Sequence, residues 1–457
     1  MRETKLNRIV LLPLLLAAFL TAGLVHALPG GEAGTDYIVK LREEAAWLGS
    51  GGPFEVVSEG EMRLLRAAGL LQWYEPDGEM TLLEGETSAY YSGGKWDLAL
   101  INADPAFEME ALGRGVRVGI LDSGINEVEF LAGKVLPGRS YMEDESETDT
   151  ADRYGHGTLV AALIAGESPE GYLGAAPGAE LVPLKITDGK VITVSAVCRA
   201  IYGGIDDFGC QILNLSLGVT SDFNSLREAV DYAAEKGVVI VAAVGNSGRT
   251  GKMYPAEYES VIGVGSVDEN GEISSRSNHN DSVFITAPGV NVRTAGRNGG
   301  YITTSGTSFA VPHVTAAAAV MLGLNPDLTP EEIAETLAET ARDAGDEGWD
   351  EYYGYGILDL GACARQAGGE ADSGGPETPC SFLSSTVIAN YTDRDITCTY
   401  LLAEYDPDGT CISVTARLLT VPAGDIVRVE QPQAANYGQF IYETDTMKPL
   451  APARKSQ

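Results

Sequence analysis

The sequence predicts an α/β domain with a mainly parallel sheet flanked by helices, preceded by a small α+β unit and followed by a small all-β module. Three observations predict this arrangement. Short apolar runs alternate with helical segments over residues 91–367. Residues 368–379, rich in Gly, Glu and Pro, then have the composition of a linker. Beyond the linker, residues 380–457 contain short alternating strands separated by turn signals.

The composition fits a globular chain and argues against a nucleic-acid partner. Of the 457 residues, 44% are hydrophobic and 21% are charged, as in ordinary globular proteins. This length suits two to four domains at roughly 100–200 residues each. Lys and Arg number 31 against 65 Asp and Glu, which gives a formal net charge of −34. Because such a chain repels phosphate backbones, we expect no nucleic-acid binding.

Residues 1–27 predict a signal peptide. Three basic residues precede the almost wholly apolar stretch 9–25, and Val25-His26-Ala27 offers small residues where a signal peptidase cleaves. A retained membrane anchor is the alternative, but the apolar run is shorter than the roughly 18–20 residues that span a bilayer, and Pro13 interrupts it. No later stretch is predicted to span a membrane. We therefore expect a secreted or extracellular protein, with association to the cell surface left open.

A small α+β unit is expected between residues 28 and 90. Residues 37–41 and 79–83 have strand character, and residues 59–71 carry apolar side chains at helical spacing. The polar, glycine-containing stretch 85–95 suits an exposed connection to the next domain.

The central domain is defined by its alternation of strands and helices. The apolar runs have the length of buried parallel strands and are residues 116–121, 181–186, 212–217, 238–244 and 261–267. The helical segments are residues 158–165, 194–201, 225–236 and 312–324.

Six cysteines follow the signal peptide. In an exported chain an even number permits disulfides, but their low density in so long a chain leaves free buried thiols equally open. The sequence has no CxxC motif and its four histidines are scattered, so we expect no structural zinc site.

Three separated motifs carry the residue types that nucleophilic acyl transfer requires. Asp122 ends an apolar strand, at the edge where parallel sheets hold their sites. His156 lies between two glycines, which let other backbone approach its ring closely. Ser308 lies in a turn of small residues that opens an Ala-rich helix, where negative charge is stabilised. In such a set an imidazole activates the serine, and a carboxylate fixes the tautomer of the imidazole.

A fourth polar residue, Asn246, follows another apolar strand and offers an amide donor for an oxyanion. Taken singly, these residues also suit structural roles: a helix cap for Asp122 or Ser308, and a turn for Asn246. We expect His279 to be a loop residue and His313 to be structural, since neither lies in a motif that needs a base.

In their order Asp, His, Ser, these motifs resemble the subtilisin-like serine proteases (subtilases, peptidase family S8) of the secreted bacterial type with an N-terminal propeptide. The resemblance implies a subtilisin-like fold and extends over roughly residues 96–364. Further stretches that resemble subtilase landmarks occur in the expected order, at residues 174–179, 214–218, 254–256, 287–289 and 353–356.

The resemblance implies a serine endopeptidase that works through an acyl-enzyme intermediate. It makes Asp122 the residue that orients His156, His156 the general base and Ser308 the nucleophile. It makes Asn246 and the Ser308 backbone amide the oxyanion hole. The polypeptide substrate would pair with an edge strand formed by Ser216, Leu217 and Gly218. No cofactor is required, because the imidazole and the oxyanion donors supply proton transfer and polarisation.

The unit at residues 28–90 resembles a subtilase propeptide, more loosely. The resemblance implies that it assists folding, inhibits the enzyme by laying its C-terminal tail in the site, and is removed by self-cleavage between residues 84 and 95. A retained N-terminal domain is the alternative.

Calcium binding is left open, because the usual family site is incomplete. Phe130 stands where a calcium-binding carboxylate is common, and the loop 167–172 is short and lacks the Asn-rich ligands. The acidic stretch 142–152 is more simply a solvated loop than a cation site.

Met253 is expected to line the pocket for the residue before the scissile bond. Val219, at a position where a glycine is frequent, would also narrow it, so we expect a preference for medium-sized apolar residues. Two other functions stay open. One is a catalytically silent surface-binding protein, against which the four intact site residues argue. The other is a narrow maturation protease, against which cleavage of casein would argue.

Overall fold

The computed structural model describes residues 36–48, 52–83, 87–88, 95–143, 145–168, 173–369, 380–384, 387–390, 396–405, 411–421, 426–428, 436–443 and 454–455. The expected signal peptide and residues 370–379 of the expected linker lie outside these ranges.

The N-terminal unit is a three-stranded antiparallel sheet with one helix. The strands are Asp36–Leu41 (β1), Glu55–Ser58 (β2) and Leu71–Pro76 (β3), in the order β2-β1-β3. The helix Glu59–Ala67 (α1) begins with a capping box between Ser58 and Glu61. It ends four residues earlier than predicted, because Gly69 adopts a φ of 67° and the chain then turns into β3. A 3₁₀ helix, Glu43–Leu48, and two short strands, Glu79–Leu82 (β4) and Thr87–Ser88 (β5), complete this part of the chain.

Eleven strands follow among the described residues of the central domain. They are Arg117–Asp122 (β6), Arg139–Ser140 (β7), Glu180–Lys185 (β8), Ile192–Thr193 (β9), Ile212–Leu215 (β10), Leu217–Gly218 (β11), Val239–Ala243 (β12), Val261–Val267 (β13), Ile285–Pro288 (β14), Val292–Ala295 (β15) and Tyr301–Thr304 (β16). Seven of them form one parallel sheet in the order β14-β13-β12-β10-β6-β8-β7. The five predicted strands are its middle, which confirms the mainly parallel sheet.

The helices after α1 are Trp96–Leu100 (α2), Asp104–Glu108 (α3), His156–Ala165 (α4), Val194–Asp206 (α5), Asn224–Glu235 (α6), Thr307–Leu324 (α7), Pro330–Thr340 (α8) and Leu360–Ala367 (α9), with a 3₁₀ turn at Glu129–Leu131. Side chains alternate between the two faces of the sheet, as strand geometry requires. Ile120 and Val241 pack on one face with α4 and α7, whereas Leu121 and Ile240 pack on the other with α5 and α6.

Helix α7 begins five residues before its predicted start and carries Pro312 inside it. Proline has no N–H to donate to the carbonyl four residues earlier, which belongs to Ser308. That carbonyl instead accepts a hydrogen bond of 2.9 Å from Ser216 Oγ. Among the described residues α7 is long and apolar enough to cross a membrane, with a mean hydropathy of 1.5 over 18 residues. It is 89% buried, which is the behaviour of a core helix.

Two small three-stranded sheets lie beside the main one, in the orders β11-β4-β9 and β15-β16-β5. Each joins a short strand of the N-terminal region to two strands of the central domain. The stretch 85–95 was predicted to be an exposed connection, but within it β5 is paired and Lys95 is buried.

The C-terminal module consists of antiparallel strands, as its alternating pattern predicts. The strands are Cys380–Ser384 (β17), Val387–Asn390 (β18), Ile396–Tyr405 (β19), Cys411–Val421 (β20), Ile426–Arg428 (β21), Asn436–Glu443 (β22) and Arg454–Lys455 (β23). They form two sheets, β17-β18-β21 and β20-β19-β22-β23. Cys398 here is a buried free thiol, as are Cys198, Cys210 and Cys363 in the central domain.

Candidate active site

Asp122 and His156 meet at the carboxyl edge of the main sheet. Asp122 is the last residue of β6 and is fully buried. His156 is the first residue of α4, and its Nδ1 lies 2.9 and 2.8 Å from the two carboxylate oxygens of Asp122. A Cβ on Gly157 would lie 2.2 Å from the Gly124 carbonyl oxygen, so only glycine lets α4 approach β6 this closely. The ring orientation is therefore fixed by a buried carboxylate.

Ser308 is the second residue of α7 and is also buried. The preceding turn depends on Gly306, whose φ of 139° is rarely adopted by other residues. Ser308 Oγ contacts the carbonyl oxygen of Leu83 and lies 3.1 Å from that of Ser216. The next ring, Phe309, has its centroid 5.2 Å from that of His156. The serine hydroxyl therefore lies against a peptide carbonyl of the N-terminal region.

Asn246 donates its side-chain Nδ2 to the same Leu83 carbonyl. Its Oδ1 accepts hydrogen bonds from the backbone N–H of Thr307 at 2.9 Å and from the Thr307 hydroxyl at 3.1 Å. These two bonds fix which end of the amide faces Leu83. Two side chains, from the end of β12 and the start of α7, thus donate to one carbonyl oxygen.

Residues 79–83 lie as an extended strand between β11 and β9, in a groove that is called the cleft from here on. The Leu83 N–H donates to the Ser216 carbonyl at 3.1 Å. Leu82 and Thr81 pair antiparallel with Leu217 and Gly218 of β11. On the other edge, β4 pairs with β9. The three residues predicted to bind an extended substrate are thus all paired with, or bonded to, this strand.

Met253 lies beside the side chain of Leu83. The two approach the same point over Gly218: a Cβ there would lie 3.0 Å from Met253 Cε and 3.3 Å from Leu83 Cδ1. Leu83 is 8% exposed, so its side chain occupies a closed apolar site. Met253 and Leu83 therefore lie beside the same point over Gly218.

The N-terminal unit also caps two helices of the central domain, which the sequence analysis did not foresee. The Glu75 carboxylate accepts hydrogen bonds from the N–H groups of Asn224 and Ser225, at 2.9 and 2.8 Å, at the start of α6. Asp77 accepts one of 2.9 Å from the N–H of Ser195, at the start of α5. Burial raises the pKa of Asp77 above its usual value, although its hydrogen bonds to Ser195 oppose this. The available signal was a pair of carboxylates two residues apart, one near the end of β3 and one directly after it.

Asp152 is a second unforeseen residue. It is buried, and its Oδ1 accepts hydrogen bonds from Ser123 Oγ at 2.8 Å and from the N–H of Gly155 at 2.6 Å. Its Oδ2 accepts from the N–H of Thr158 at 2.9 Å. Asp152 therefore joins the end of β6 to the loop and helix that carry His156. An acidic residue just before a helix was the signal for it.

A buried ionic cluster joins the start of the central domain to α7. Lys95 Nζ lies 2.7 Å from Asp97 Oδ2, and His313 Nε2 lies 3.3 Å from the same oxygen. Burial alone would raise the pKa of Asp97, but Lys95 and His313 outweigh it and lower the pKa to about 2. The cluster agrees with the structural role predicted for His313. His279 is in a loop and stacks on Tyr352.

The described residues contain no group of three or more His, Cys, Asp or Glu side chains that could hold a metal ion. Phe130 is buried against the ring of Tyr301. In the acidic stretch, Glu145 and Asp149 pair with Arg153, and Glu145 also pairs with the buried Lys185. In these ion pairs, the negative charges of Glu145 and Asp149 are already balanced by basic side chains. Residues 144 and 169–172 lie outside the described part of the chain.

A serine at a helix N-terminus and an amide donor contact one peptide carbonyl, and a buried acid–histidine pair lies beside the residue that follows this serine. These are the groups that a serine protease uses. Residues 113–356 match the family model described as the subtilase family. This match covers more than half of the chain, which therefore belongs to the subtilase family, a family of serine endopeptidases.

The chain is also similar to individual proteases. The chain is 37% identical over 278 residues to subtilisin DY of Bacillus licheniformis, which covers 59% of this chain and 98% of that protein. It is 38% identical over 240 residues to a thermostable alkaline protease of Halalkalibacterium halodurans, which covers 52% of this chain and 65% of that protein. Fervidolysin from Fervidobacterium pennivorans, described as a keratinolytic enzyme related to subtilisin, has a similar fold. The TM-score is 0.66 at 23% identity, with 91% of this chain and 72% of that chain covered.

Proposed function

We propose that the chain is an exported serine endopeptidase that cuts its own precursor at the Leu83–Glu84 bond. One observation carries the proposal. The carbonyl oxygen of Leu83 accepts hydrogen bonds from both Asn246 Nδ2 and Ser308 Oγ, while residues 79–83 pair with the cleft on both edges. The Leu83 carbonyl is then the electrophile, and the unit before it is the propeptide.

The proposed reaction begins when Ser308 Oγ attacks the carbonyl carbon of Leu83 and gives its proton to His156 Nε2. The hydroxyl now lies against the carbonyl oxygens of Leu83 and Ser216, so it must first turn towards His156. Asp122, at 2.8 Å from Nδ1, stabilises the imidazolium that forms. Negative charge develops on the Leu83 oxygen, where Asn246 and the Ser308 backbone N–H stabilise it.

The tetrahedral intermediate then breaks its C–N bond. His156 returns the proton to the departing nitrogen of Glu84, and the carbonyl of Leu83 remains as an ester on Ser308. Water, deprotonated by His156, attacks this ester and restores the serine. These steps use only side chains, the Ser308 backbone N–H and water, so no cofactor enters them. The calcium question stays separate from the chemistry, and no calcium site is proposed.

The proposed cut moves the end of the propeptide from residue 90, the boundary expected from the sequence, to Leu83. The released unit would stay bound as an inhibitor, because β4 fills the cleft and Glu75 and Asp77 cap two helices. The leucine in the pocket beside Met253 supports a preference for medium-sized apolar residues before the cut. Faster cleavage of peptides with a basic residue there would contradict this preference.

The experiment is to compare the intact masses of the secreted wild type, Ser308→Ala and the neighbouring control Ser305→Ala. We expect the wild type and Ser305→Ala to begin at Glu84, and Ser308→Ala to retain residues up to Leu83. If all three retain them, self-processing is wrong and the silent binding protein gains support. If Ser308→Ala is also cut at this bond, another protease does the trimming.

A further inference from the structure

The segment that follows the proposed cut pairs with one edge of strand β16. Thr87 and Ser88 form β5, which pairs antiparallel with Thr304 and Thr303 of β16. Counted from the Leu83–Glu84 bond, Thr87 and Ser88 are the fourth and fifth residues on the leaving-group side. The precursor is thus held by backbone pairing on both sides of the bond.

β16 is connected both to the helix that carries Ser308 and to the helix that carries His156. It ends four residues before Ser308 in the chain. On its other edge it pairs with β15 over four residues, and Thr294 of β15 donates its hydroxyl to the Leu159 carbonyl in α4, at 2.8 Å. Because α4 begins with His156, the position of β16 is coupled to both the nucleophile and the base.

The region between His156 and β16 can accept a polypeptide. A cavity there is lined by residues that include His156, Phe309, Arg297 and Ile302. The departing nitrogen must lie near His156, so the chain beyond the cut leaves the site on this side. Four extended residues reach roughly 13 Å, which is enough to cross from the bond to a strand at its edge.

We propose that the edge of β16 that pairs with β5 is a second substrate-binding strand, which takes the backbone of the fourth and fifth residues after the scissile bond of a polypeptide substrate. This inference rests on the proposed function, because the cut at Leu83–Glu84 defines the count. Recognition is through backbone N–H and C=O groups, so it is independent of the side chains at these two positions.

Proline substitutions in the full chain test the proposal with a built-in control. In an antiparallel pair, adjacent residues alternate between positions that exchange hydrogen bonds with the partner strand and positions that do not. Only one of Thr87 and Ser88 therefore donates its N–H to β16. We expect one of Thr87→Pro and Ser88→Pro to slow self-processing about tenfold, the effect of losing one hydrogen bond of about 1.4 kcal/mol. The other proline, Thr87→Ala and Ser88→Ala should stay within about twofold of the wild type. Equal rates for both prolines, or slowing by an alanine, would overturn the proposal.

Amide hydrogen exchange in the uncleaved Ser308→Ala chain gives a readout that needs no activity. We expect the N–H of one of the two residues to be protected, and the slowing proline to raise exchange in β16 at least tenfold. Rapid exchange of both amides would contradict the pairing. The self-processing of the wild type, compared with Ser308→Ala, reports the proposed function separately.

Cleavage of added peptides extends the test to other substrates. The slowing proline variant, once processed, has a segment of its own that no longer competes for β16. With this enzyme, separated from its released N-terminal unit, a peptide of residues 79–90 should have a kcat/KM about tenfold above that of residues 79–85, again for one hydrogen bond. N-methylation of the donating amide should remove the gain. Equal values for the two lengths would confine the pairing to the precursor and overturn the proposal for substrates.

Discussion

At the scale of single residues, the candidate site depends on a buried side chain, Asp152, that positions the residues next to Asp122 and His156. Asp152 has no contact with the Leu83 carbonyl among the described residues, yet it accepts hydrogen bonds from Ser123, Gly155 and Thr158. Ser123 follows Asp122, and Gly155 precedes His156. A buried carboxylate can accept all of these bonds at once, whereas an amide has only one accepting oxygen.

Asp152→Asn should therefore disturb the geometry of His156 while keeping the shape of the side chain. We expect kcat for a peptide to fall about 10–10²-fold with little change in KM, as for a small displacement of a base. The control is Asp149→Asn, which loses an ion pair with Arg153 in the same loop but no bond to the His156 segment. An unchanged kcat in Asp152→Asn would show that Thr158 and Ser123 hold the loop without it.

At the scale of elements, helix α7 shows how a core helix can also carry a nucleophile. It is almost wholly apolar, yet both nitrogens of His313 face oxygens: the Phe309 carbonyl at 2.9 Å and Asp97 at 3.3 Å. Through Asp97 and Lys95, the helix is tied to the residues that begin the central domain. An ion pair buried this deeply is costly to break from one side.

Asp97→Asn should remove the carboxylate that lies 2.7 Å from the buried Lys95 ammonium. We expect the free energy of unfolding near pH 7 to fall by about 3–5 kcal/mol, measured by urea unfolding of the Ser308→Ala chain. The double variant Lys95→Met/Asp97→Leu should recover much of this loss. A double variant that is no more stable than Asp97→Asn would contradict this account.

The pH dependence of the same variant has a definite sign. Burial lowers the pKa of Lys95 in the folded protein, with Asp97 opposing the shift. Without Asp97 the pKa falls further below its unfolded value, so the unfolded chain binds more protons than the folded one. The free energy of unfolding then rises with pH. Between about pH 7 and about pH 10, we expect this rise to be larger in Asp97→Asn than in the Ser308→Ala chain that still has Asp97.

The sequence predicts the long elements better than the short ones, for physical reasons. Five buried strands are predictable because they are continuous apolar runs, and β13 at residues 261–267 has its predicted bounds. Strands of two residues, such as β9 and β5, have no periodicity to detect, since only their partners define them. The start of α7 was missed because Pro312 suggested a first turn, whereas Ser216 supplies the hydrogen bond that the proline lacks.

At the scale of the whole molecule, the N-terminal unit contacts the central domain both at helix α6 and in the cleft. Trp73 donates to Glu228 of α6 at 2.7 Å, and Glu75 caps the same helix. These contacts hold the unit beside the cleft while β4 lies inside it. Under the proposed function, the unit would therefore favour the folded arrangement of α6 as well as block the site.

Glu75→Ala should weaken this interface, because two N–H groups at the start of α6 lose their acceptor. In the Ser308→Ala full chain we expect a loss of about 1–2 kcal/mol in stability, measured by urea unfolding. Glu79→Ala is the matched control, since Glu79 is exposed and its backbone pairing is retained. Equal stability for the two variants would mean that water replaces the cap at no cost.

The sequence by itself determined the order of the motifs, the parallel sheet and the identity of the residues around the Leu83 carbonyl, because these follow from local patterns and from chemistry at single positions. Only the tertiary structure decided which distant groups meet: Leu83 with Ser308, Asp97 with His313, and β5 with β16. These contacts leave no periodic trace in either segment, since each depends on packing energy shared over the whole fold.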